Sequence, residues 1–322
     1  MSDEAPSNPF PTRPFRFGVQ LSAPLDGAAW IETAKRIEGH GYSVATMPDH
    51  FDGQLAPVPA LQAVLDATTT LRAGALVFDN DYKHPVVLAK ELATMDLLSE
   101  GRIEIGLGAG WMISDYERSG MSYDRPGVRV DRFVEGLAVI KGAMADGEFS
   151  FDGDHYSISG YDGLPKPLQR PHPPVIIGGG GRRVLSIAAR EADIVGVNGT
   201  LDSGVIGPEA IATMTERAVV DKVAIVAAAA AGAGRTADIE MNIRTFFVSV
   251  TEHRETAFGS IADMIRVDAE MVAASPFALV GSPSEIAETL IQRRERFGFS
   301  YIIVGPDVFD AFAPVVARLA GT

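Results

Sequence analysis

The feature that most constrains the fold of this chain is a regular alternation of short apolar segments with longer amphipathic ones. The apolar segments are nearly continuous runs rich in β-branched residues, which is typical of strands buried on both faces. Between them, apolar residues recur at helical spacing, as with Trp30, Ala34 and Ile37. The predicted strands, eight in all, cover residues 15–21, 42–47, 71–78, 102–108, 174–178, 192–198, 241–250 and 301–306.

Strands that alternate with helices predict a parallel α/β fold. Eight such units favour a closed (β/α)8 TIM barrel over an open doubly wound sheet. The helices predicted between and after the strands cover residues 28–41, 57–69, 85–101, 126–145, 182–191, 208–231, 252–273 and 283–297, with a further helix at the end of the chain.

The pattern predicts a single domain over residues 15–322, preceded by a flexible lead-in at residues 1–14 that is rich in proline. Two stretches, at about 148–173 and 251–280, depart from the simple alternation and are predicted insertions. The first contains a predicted hairpin, with Asp152-Gly153 as its turn.

Composition excludes several classes of function. The formal net charge of −14 argues against extended binding to nucleic acid or to an anionic membrane. The chain contains no cysteine, which excludes disulfides, thiolate catalysis and zinc–thiolate or iron–sulfur sites. The first residues lack the apolar segment of a signal peptide, and no apolar run is long enough for a transmembrane helix. We therefore expect a cytoplasmic protein that binds a small molecule.

In a barrel of this type the active site lies at the carboxyl ends of the strands. Asp49 and His50 follow the second predicted strand, so the sequence "VATMPDHFDG" places them at this mouth. They could act as an acid/base pair, line a cofactor pocket, bind a metal, or form a solvated turn. No two histidines have the spacing of a helical zinc motif, so a metal is the least favoured of these roles. No GxSxG motif is present, which argues against a catalytic serine.

Two glycine clusters follow other predicted strands. Gly178–Gly181 stand between a strand and a helix, where free backbone N–H groups and the helix dipole favour a phosphate, and Arg182 would add positive charge. The alternative is a tight turn that needs glycine for its backbone conformation. The segment "GLGAGW" lacks the spacing of a dinucleotide fingerprint and predicts a loop after its strand.

Other residues of the predicted mouth could contact a planar cofactor or a substrate. Phe51 and Trp111 offer flat aromatic walls. Asn198 follows the sixth predicted strand and therefore lies at the same end of the barrel.

Together these segments resemble a known superfamily. "FGVQLS", "MPDHF", "LVFDNDYKHPVVLAKELATMDLLSEGRIEIGLGAGW", "YDRPGVRVDRFVEGLAVIKG", "PVIIGGGGRRVLSIAAREADIVGVN" and "GSPSEIAETLIQRRERFGFSYIIV" are similar to the luciferase-like flavin/deazaflavin oxidoreductases. More narrowly, they resemble the actinobacterial branch that uses coenzyme F420, a deazaflavin. The resemblance covers most of residues 15–305 in order, and its most specific part begins at His84-Pro85.

The resemblance implies a bacterial luciferase-like barrel, a homodimer, and a deazaflavin across the barrel mouth. Asp49 and His50 match a pair beside the cofactor, with the histidine near the redox carbon. A non-proline cis peptide that supports the ring is implied at Ala75–Leu76. Gly108-Ala109-Gly110 match a segment that contacts the cofactor, and Gly178–Gly181 match the segment that binds its phosphate.

One position departs from the family pattern. Sugar-phosphate dehydrogenases of this family carry a glutamate proton donor after the glycine loop, where this chain has Trp111. The aromatic side chain argues against a sugar phosphate and favours a more hydrophobic substrate.

Three hypotheses follow. The first is an F420-dependent oxidoreductase that moves a hydride between the deazaflavin and a small organic substrate, with His50 as the catalytic residue. The second is an FMN-dependent monooxygenase that receives reduced flavin from a partner reductase. The third, of another class, is a barrel that binds the cofactor without turnover.

Overall fold

The computed structural model describes residues 8–23, 26–201, 204–205 and 207–322. Its short strands fall where the apolar runs predicted them, with additional strands in the two predicted insertions. They are β1 (Arg16–Gln20), β2 (Val44–Met47), β3 (Arg72–Ala75), β4 (Phe78–Asp79), β5 (Ile105–Gly108), β6 (Phe149–Asp152), β7 (Ser157–Tyr161), β8 (Val175–Gly179), β9 (Ile194–Val197), β10 (Glu240–Arg244), β11 (Phe247–Val250), β12 (Ala278–Gly281) and β13 (Phe299–Val304).

Most of these strands form one parallel sheet, in the order β3-β2-β1-β13-β10-β9-β8-β5-β4. A parallel bridge between Ala73 of β3 and Ile103, which lies just before β5, closes the sheet. Because β3 and β4 are two parts of one interrupted strand, the nine strands fill eight positions around a barrel. The predicted (β/α)8 barrel is thus confirmed.

Helices separate the strands and cover the outside of the barrel. In α1, for example, Trp30, Ala34 and Ile37 are buried, as their spacing predicted. The helices are α1 (Gly27–Gly39), α2 (Pro57–Ala67), α3 (Pro85–Leu98), α4 (Ile113–Ser119), α5 (Pro126–Met144), α6 (Arg182–Glu191), α7 (Pro208–Ala212), α8 (Glu216–Gly232), α9 (Arg254–Ile265), α10 (Ala269–Ala274), α11 (Pro283–Phe297) and α12 (Phe309–Leu319).

The side chains that face into the barrel form a small apolar cluster of their own. It contains Val44, Ile176, Ile194, Tyr301 and Ile303, with Leu76 packed against it. The larger core lies between the barrel and its helices. None of the helices in the described residues is both long and apolar enough to cross a bilayer.

The amino ends of the strands are closed by buried ion pairs. Glu104 lies 2.5 Å from Arg16 and 3.0 Å from Arg72, and the hydroxyl of Tyr301 donates to it at 3.2 Å. Arg16 also pairs with Glu240 at 2.7 Å. Among the described residues, arginine and glutamate side chains fill this end of the barrel.

The third strand differs from its prediction over residues 71–78. It breaks after Ala75, and a cis peptide joins Leu76 to Val77. The position expected from the resemblance, Ala75–Leu76, was wrong by one residue. The N–H of Leu76 still donates to the carbonyl of Met47 at 2.7 Å, so the Ala75–Leu76 peptide continues the ladder with β2 and the cis bond comes only after it.

The seventh strand was also predicted too long. The run 241–250 divides into β10, which belongs to the barrel, and β11, which pairs in parallel with β12 outside it. β12 lies in a region predicted as an insertion. In the other insertion, β6 and β7 form the predicted hairpin, but four residues, 153–156, connect its strands instead of a two-residue turn.

Three helix predictions need correction. The predicted helix 252–273 is divided into α9 and α10, because Arg266, the C-cap of α9, has a left-handed backbone conformation. The predicted helix 208–231 is divided into α7 and α8, because the side chain of Thr215 caps a new helix by accepting from the N–H of Ala218. The stretch after "GLGAGW", predicted as a loop, contains α4.

The predicted flexible lead-in at residues 1–14 is described only in part, since residues 1–7 lie outside the described residues. In the remainder, the side chain of Asn8 donates to the carbonyl of Arg294 at 3.3 Å. Phe10 is buried.

Candidate active site

A cavity of about 230 Å³ opens at the carboxyl ends of the strands. Most of the residues that the sequence predicted for the site line this one cavity, although they come from the ends of five different strands. They are Asp49, His50, Leu76, Gly108, Ala109, Gly110, Trp111, Gly178, Gly179, Gly180, Gly181 and Asn198.

Three predicted site residues do not line the cavity. Ala75 is buried in β3, where its carbonyl faces Gly106 of β5. Phe51 is 50% exposed and packs on Tyr82, with 4.4 Å between the ring centroids. Arg182 is the first residue of α6 and is exposed just outside the cavity.

His50 is held by a carboxylate that sequence reasoning missed. Its Nδ1 lies 2.7 Å from Oδ2 of Asp115, and the hydroxyl of Tyr82 donates to the same oxygen at 2.9 Å. Asp115 lies in the first turn of α4, where the helix dipole favours a negative charge. Its side chain is only 4% exposed.

This arrangement defines how His50 can act. A carboxylate can only accept, so Nδ1 of His50 carries the hydrogen of the 2.7 Å bond. Nε2 has no hydrogen-bond partner among the described residues, and His50 lines the cavity. The neutral ring therefore presents a proton acceptor at Nε2, as in other histidines that are oriented by a carboxylate.

Trp111 forms an aromatic wall beside His50. The two rings meet edge to face, with 5.6 Å between their centroids. The backbone carbonyl of Trp111 accepts from the hydroxyl of Tyr123 at 2.9 Å, which fixes this part of the loop. The wall beside the ring of His50 is thus aromatic, and its loop is held in place.

Two carboxyl groups, the partly buried one of Asp49 and the buried one of Asp79, lie on the side of the cavity nearest β2 and β4. The N–H of Asp79 donates to Oδ2 of Asp49 at 3.2 Å, and the hydroxyl of Tyr116 donates to Asp79 at 3.0 Å. Burial raises the pKa of Asp49 to about 6 and that of Asp79 to about 7. Both groups can therefore hold a proton near neutral pH.

The floor of the cavity is apolar and lacks bulky side chains where strands β5 and β8 end. Val77 packs against Gly108, where an added Cβ would lie 2.6 Å from its Cγ2. Val77 also lies close to Gly178, where an added Cβ would lie 3.7 Å from Cγ1 of Val77. A flat ring could lie on this floor because glycine keeps it open.

The far end of the cavity is formed by the glycine run and the beginning of α6. Gly181 is the N-cap of this helix and has no side chain to satisfy the first N–H groups. A Cβ at Gly181 would meet nothing within 4 Å, so the space beside it is open. This geometry suits the anionic group predicted for Gly178–Gly181.

Arg129, a second residue that sequence reasoning missed, lines the same cavity. It is 4% exposed, its guanidinium lies 4.1 Å from the ring of Tyr123, and Nη1 donates to the carbonyl of Asp124 at 2.9 Å. Nε is buried without a hydrogen-bond partner among the described residues. A buried cation with an unused donor favours an anionic ligand. Its signal in the sequence is an arginine in the first turn of a helix that begins with proline.

Asn198 lines the cavity through a loop that Lys222 fixes from behind. Nζ of Lys222 donates to the carbonyl of Asn198 at 2.6 Å and to that of Thr213 at 2.8 Å. The side-chain oxygen of Asn198 accepts from the N–H of Gly199. Burial lowers the pKa of Lys222 to about 8. The lysine is therefore a buried anchor for the loop after β9.

Comparisons with known proteins identify the family of this chain. A family model described as luciferase-like monooxygenase matches residues 13–301. The chain is 31% identical over 235 residues to the FMNH(2)-dependent dimethylsulfone monooxygenase of Pseudomonas putida, a match that covers 73% of this chain and 58% of that protein. It is 30% identical over 174 residues to the F420-dependent glucose-6-phosphate dehydrogenase of Amycolatopsis mediterranei, covering 51% of each.

The fold is also that of solved structures. Coenzyme F420-dependent tetrahydromethanopterin reductase from Methanopyrus kandleri superposes with a TM-score of 0.76 and covers 96% of this chain and 99% of its own, at 17% identity. At this identity the likeness concerns the fold alone. The matches to the two curated relatives span little more than half of their lengths, so their activities do not transfer directly.

Proposed function

This chain belongs to the luciferase-like monooxygenase family, and we propose that it is an F420-dependent oxidoreductase that moves a hydride between the deazaflavin and a small organic substrate. The family makes it an enzyme of the oxidoreductase and monooxygenase type, with relatives that use either F420 or FMN. The observation that carries the proposal is the pairing of His50 with Asp115, which leaves a proton-accepting nitrogen in the cavity.

The residues present fit a phosphorylated planar cofactor. Val77, Gly108 and Gly178 provide a flat apolar floor for a ring. At the other end, the first N–H groups of α6 and the unused Nε donor of Arg129 would hold a phosphate. These groups would bind the same parts of F420 or FMN, so they support a cofactor of this type without distinguishing the two.

When bound, F420 supplies a ring carbon that accepts or gives up a hydride. His50 would then take the proton that leaves a substrate hydroxyl at Nε2, or return it to a carbonyl oxygen in the reverse direction. Asp115 would stabilise the positive charge that forms on the ring of His50, and Tyr82 would keep Asp115 in place. A hydroxyl or carbonyl carbon is therefore the reacting centre that this site supports best.

Trp111 bears on the choice of substrate. Its ring lies edge to face with His50, so the substrate would meet an apolar wall beside the proton acceptor. A sugar phosphate would need polar partners at this position. We propose a small alcohol or carbonyl compound with an apolar or aromatic substituent.

A second candidate is an FMN-dependent monooxygenase supplied with reduced flavin by a separate reductase. The match to the dimethylsulfone monooxygenase, over 73% of this chain, favours it. The phosphate end of the cavity would serve FMN equally well.

The first experiment is a titration of the purified protein with F420 and with FMN, followed by cofactor fluorescence. We expect F420 to bind more tightly. Tight binding of FMN without binding of F420, together with oxygen consumption when reduced FMN is supplied, would replace the proposal with the monooxygenase.

The second experiment separates an enzyme from a cofactor-binding protein without turnover. A panel of alcohols and carbonyl compounds is assayed through the absorbance of F420 with the wild type and His50→Ala. We expect His50→Ala to bind F420 but to turn over about 10²–10⁴-fold more slowly. Equal rates for both proteins would contradict the role given to His50.

A further inference from the structure

The beginnings of α5 and α6 lie side by side at the phosphate end of the cavity. Pro126 of α5 and Gly181, the N-cap of α6, both line the cavity. Arg183 links the two helices, because its guanidinium donates to the carbonyl of Gly127 at 3.3 Å and pairs with Asp131. Both dipoles therefore have their positive ends at this point.

Arginines are concentrated at these two helix ends. Arg125 is the N-cap residue of α5 and Arg182 is the first residue of α6. Both are exposed, and neither forms an ion pair within the described part of the chain. Neither helix has an acidic residue in its first turn.

This placement does not serve the stability of the helices. A cation at the beginning of a helix opposes the dipole, and an acidic residue there would be favourable. The chain has 42 acidic and 28 basic residues, so a cationic patch is not a consequence of its composition. A bound anion would interact favourably with both helix dipoles and with the arginines, and would so offset the unfavourable interaction between the arginines and the dipoles.

The patch continues outward from the buried cation of the cavity. Arg129 lies in the first turn of α5, buried and with an unused Nε donor. Arg125, one turn earlier on the same helix, is exposed. A ligand whose phosphate is bound by Arg129 and the N–H groups of α6 would therefore leave the cavity between Arg125 and Arg182.

We propose that Arg125 and Arg182 form an exit groove for an anionic tail that extends beyond the phosphate of the cofactor. F420 has such a tail, a chain of glutamates whose carboxylates follow the phosphate, whereas FMN ends at its phosphate. This inference rests on the proposed function and adds to it a reason to prefer F420. The carboxylates of the tail are the groups that the two guanidinium groups would bind.

The test measures binding and needs no turnover. F420 with several glutamates, F420 from which the glutamates have been removed, and FMN are each titrated against the wild type and the double variant Arg125→Gln/Arg182→Gln at low and high salt. The matched control is Arg190→Gln, which removes an exposed arginine from the last turn of the same helix α6.

We expect the wild type to bind the form with glutamates about 3–10-fold more tightly at low salt, as two exposed ion pairs would allow. This preference should shrink at high salt. The double variant should lose it while keeping its affinity for the form without glutamates, and Arg190→Gln should keep it. The double variant should unfold at the same temperature as the wild type or higher.

The experiment distinguishes a failure of the exit groove from a failure of the proposed function. Equal wild-type affinity for both forms of F420, or a preference that survives in the double variant, overturns the exit groove and leaves the proposed function standing. Binding of FMN with no binding of either form of F420 overturns both.

Discussion

Nδ1 of His50 lies 2.7 Å from the carboxylate of Asp115, a residue 65 positions away in the chain. The bond joins the loop after β2 to the first turn of α4, so these two elements together determine the orientation and tautomer of His50. Tyr82 donates to the same carboxylate at 2.9 Å, from the loop after β4.

Asp115→Asn should lower kcat by about 10²–10⁴-fold, because the amide can neither select the productive tautomer of His50 nor stabilise its protonated form. Cofactor affinity should stay close to that of the wild type, since Asp115 contacts His50 and not the phosphate end. Steady-state rates and a cofactor titration measure the two effects separately. Tyr82→Phe, which keeps the bond between His50 and Asp115, should cost only about tenfold. A full rate in Asp115→Asn would show that His50 needs no carboxylate.

Arg129→Met should weaken the binding of any phosphorylated cofactor by about 10–100-fold, the value of one charged hydrogen bond. Methionine preserves most of the apolar stem but removes the unused Nε donor. The same titrations with riboflavin, which lacks a phosphate, provide the control, and its affinity should change little. An equal loss for FMN and riboflavin would indicate a general distortion of the cavity.

Asp79→Asn should remove a pH dependence of stability. Burial raises the pKa of the native Asp79 carboxyl to about 7, while the unfolded chain ionises near pH 4. Between these values the native state holds a proton that the unfolded state has released, so stability falls as the pH rises from about 4 to about 7. Asparagine carries no charge, and its NH2 group can donate to the hydroxyl of Tyr116, which still reaches Asp81 at 3.1 Å.

The variant should therefore be more stable than the wild type at pH 8, by on the order of 2–4 kcal/mol, and the difference should vanish near pH 4. Urea unfolding at a series of pH values measures it. Asp146→Asn, at a carboxylate that is 85% exposed, should show no such trend. A constant difference between Asp79→Asn and the wild type across the series would mean that Asp79 is ionised throughout.

The barrel could be predicted from the sequence because a local pattern of residues indicates each strand. "VATM", "VIIGG" and "FSYIIV" are short apolar runs beside glycine or polar residues, and each became a strand of the barrel. The interruption after Ala75 could not be predicted from the apolar pattern, and the family resemblance alone pointed to it, one residue too early. The run around it stays apolar, and the break depends on distant partners, including the side chain of Gln20, which donates to the carbonyl of Leu76 at 2.9 Å.

From the sequence, only those site residues that directly follow a strand could be predicted. Asp49, His50 and the glycines come directly after apolar runs, so the fold brings them to one mouth. Asp115 and Arg129 lie on helices α4 and α5 and do not directly follow a strand, so their roles depend on which buried group faces them. Periodicity shows that α5 exists, but it does not show that Arg129 is turned toward the cavity.

Glu104→Gln should destabilise the protein strongly without weakening cofactor binding. Glu104 is buried at the amino ends of the strands between Arg16 and Arg72, and these cations hold its pKa below the usual range. Removing its charge leaves two largely buried guanidinium groups without their shared partner, a change that typically costs about 3–5 kcal/mol. Urea unfolding should show this loss.

The matched control for Glu104→Gln is Glu91→Gln. Glu91 pairs with Lys83 at 2.6 Å, but both side chains are about one third exposed, at 33% and 35%. Exposed pairs contribute at most about 1 kcal/mol, so this variant should stay near the wild type. Because Glu104 lies at the opposite end of the barrel from the cavity, the remaining folded protein should bind cofactor normally. A Glu104→Gln protein as stable as Glu91→Gln would mean that solvent already screens Arg16 and Arg72, and that the strands alone close this end.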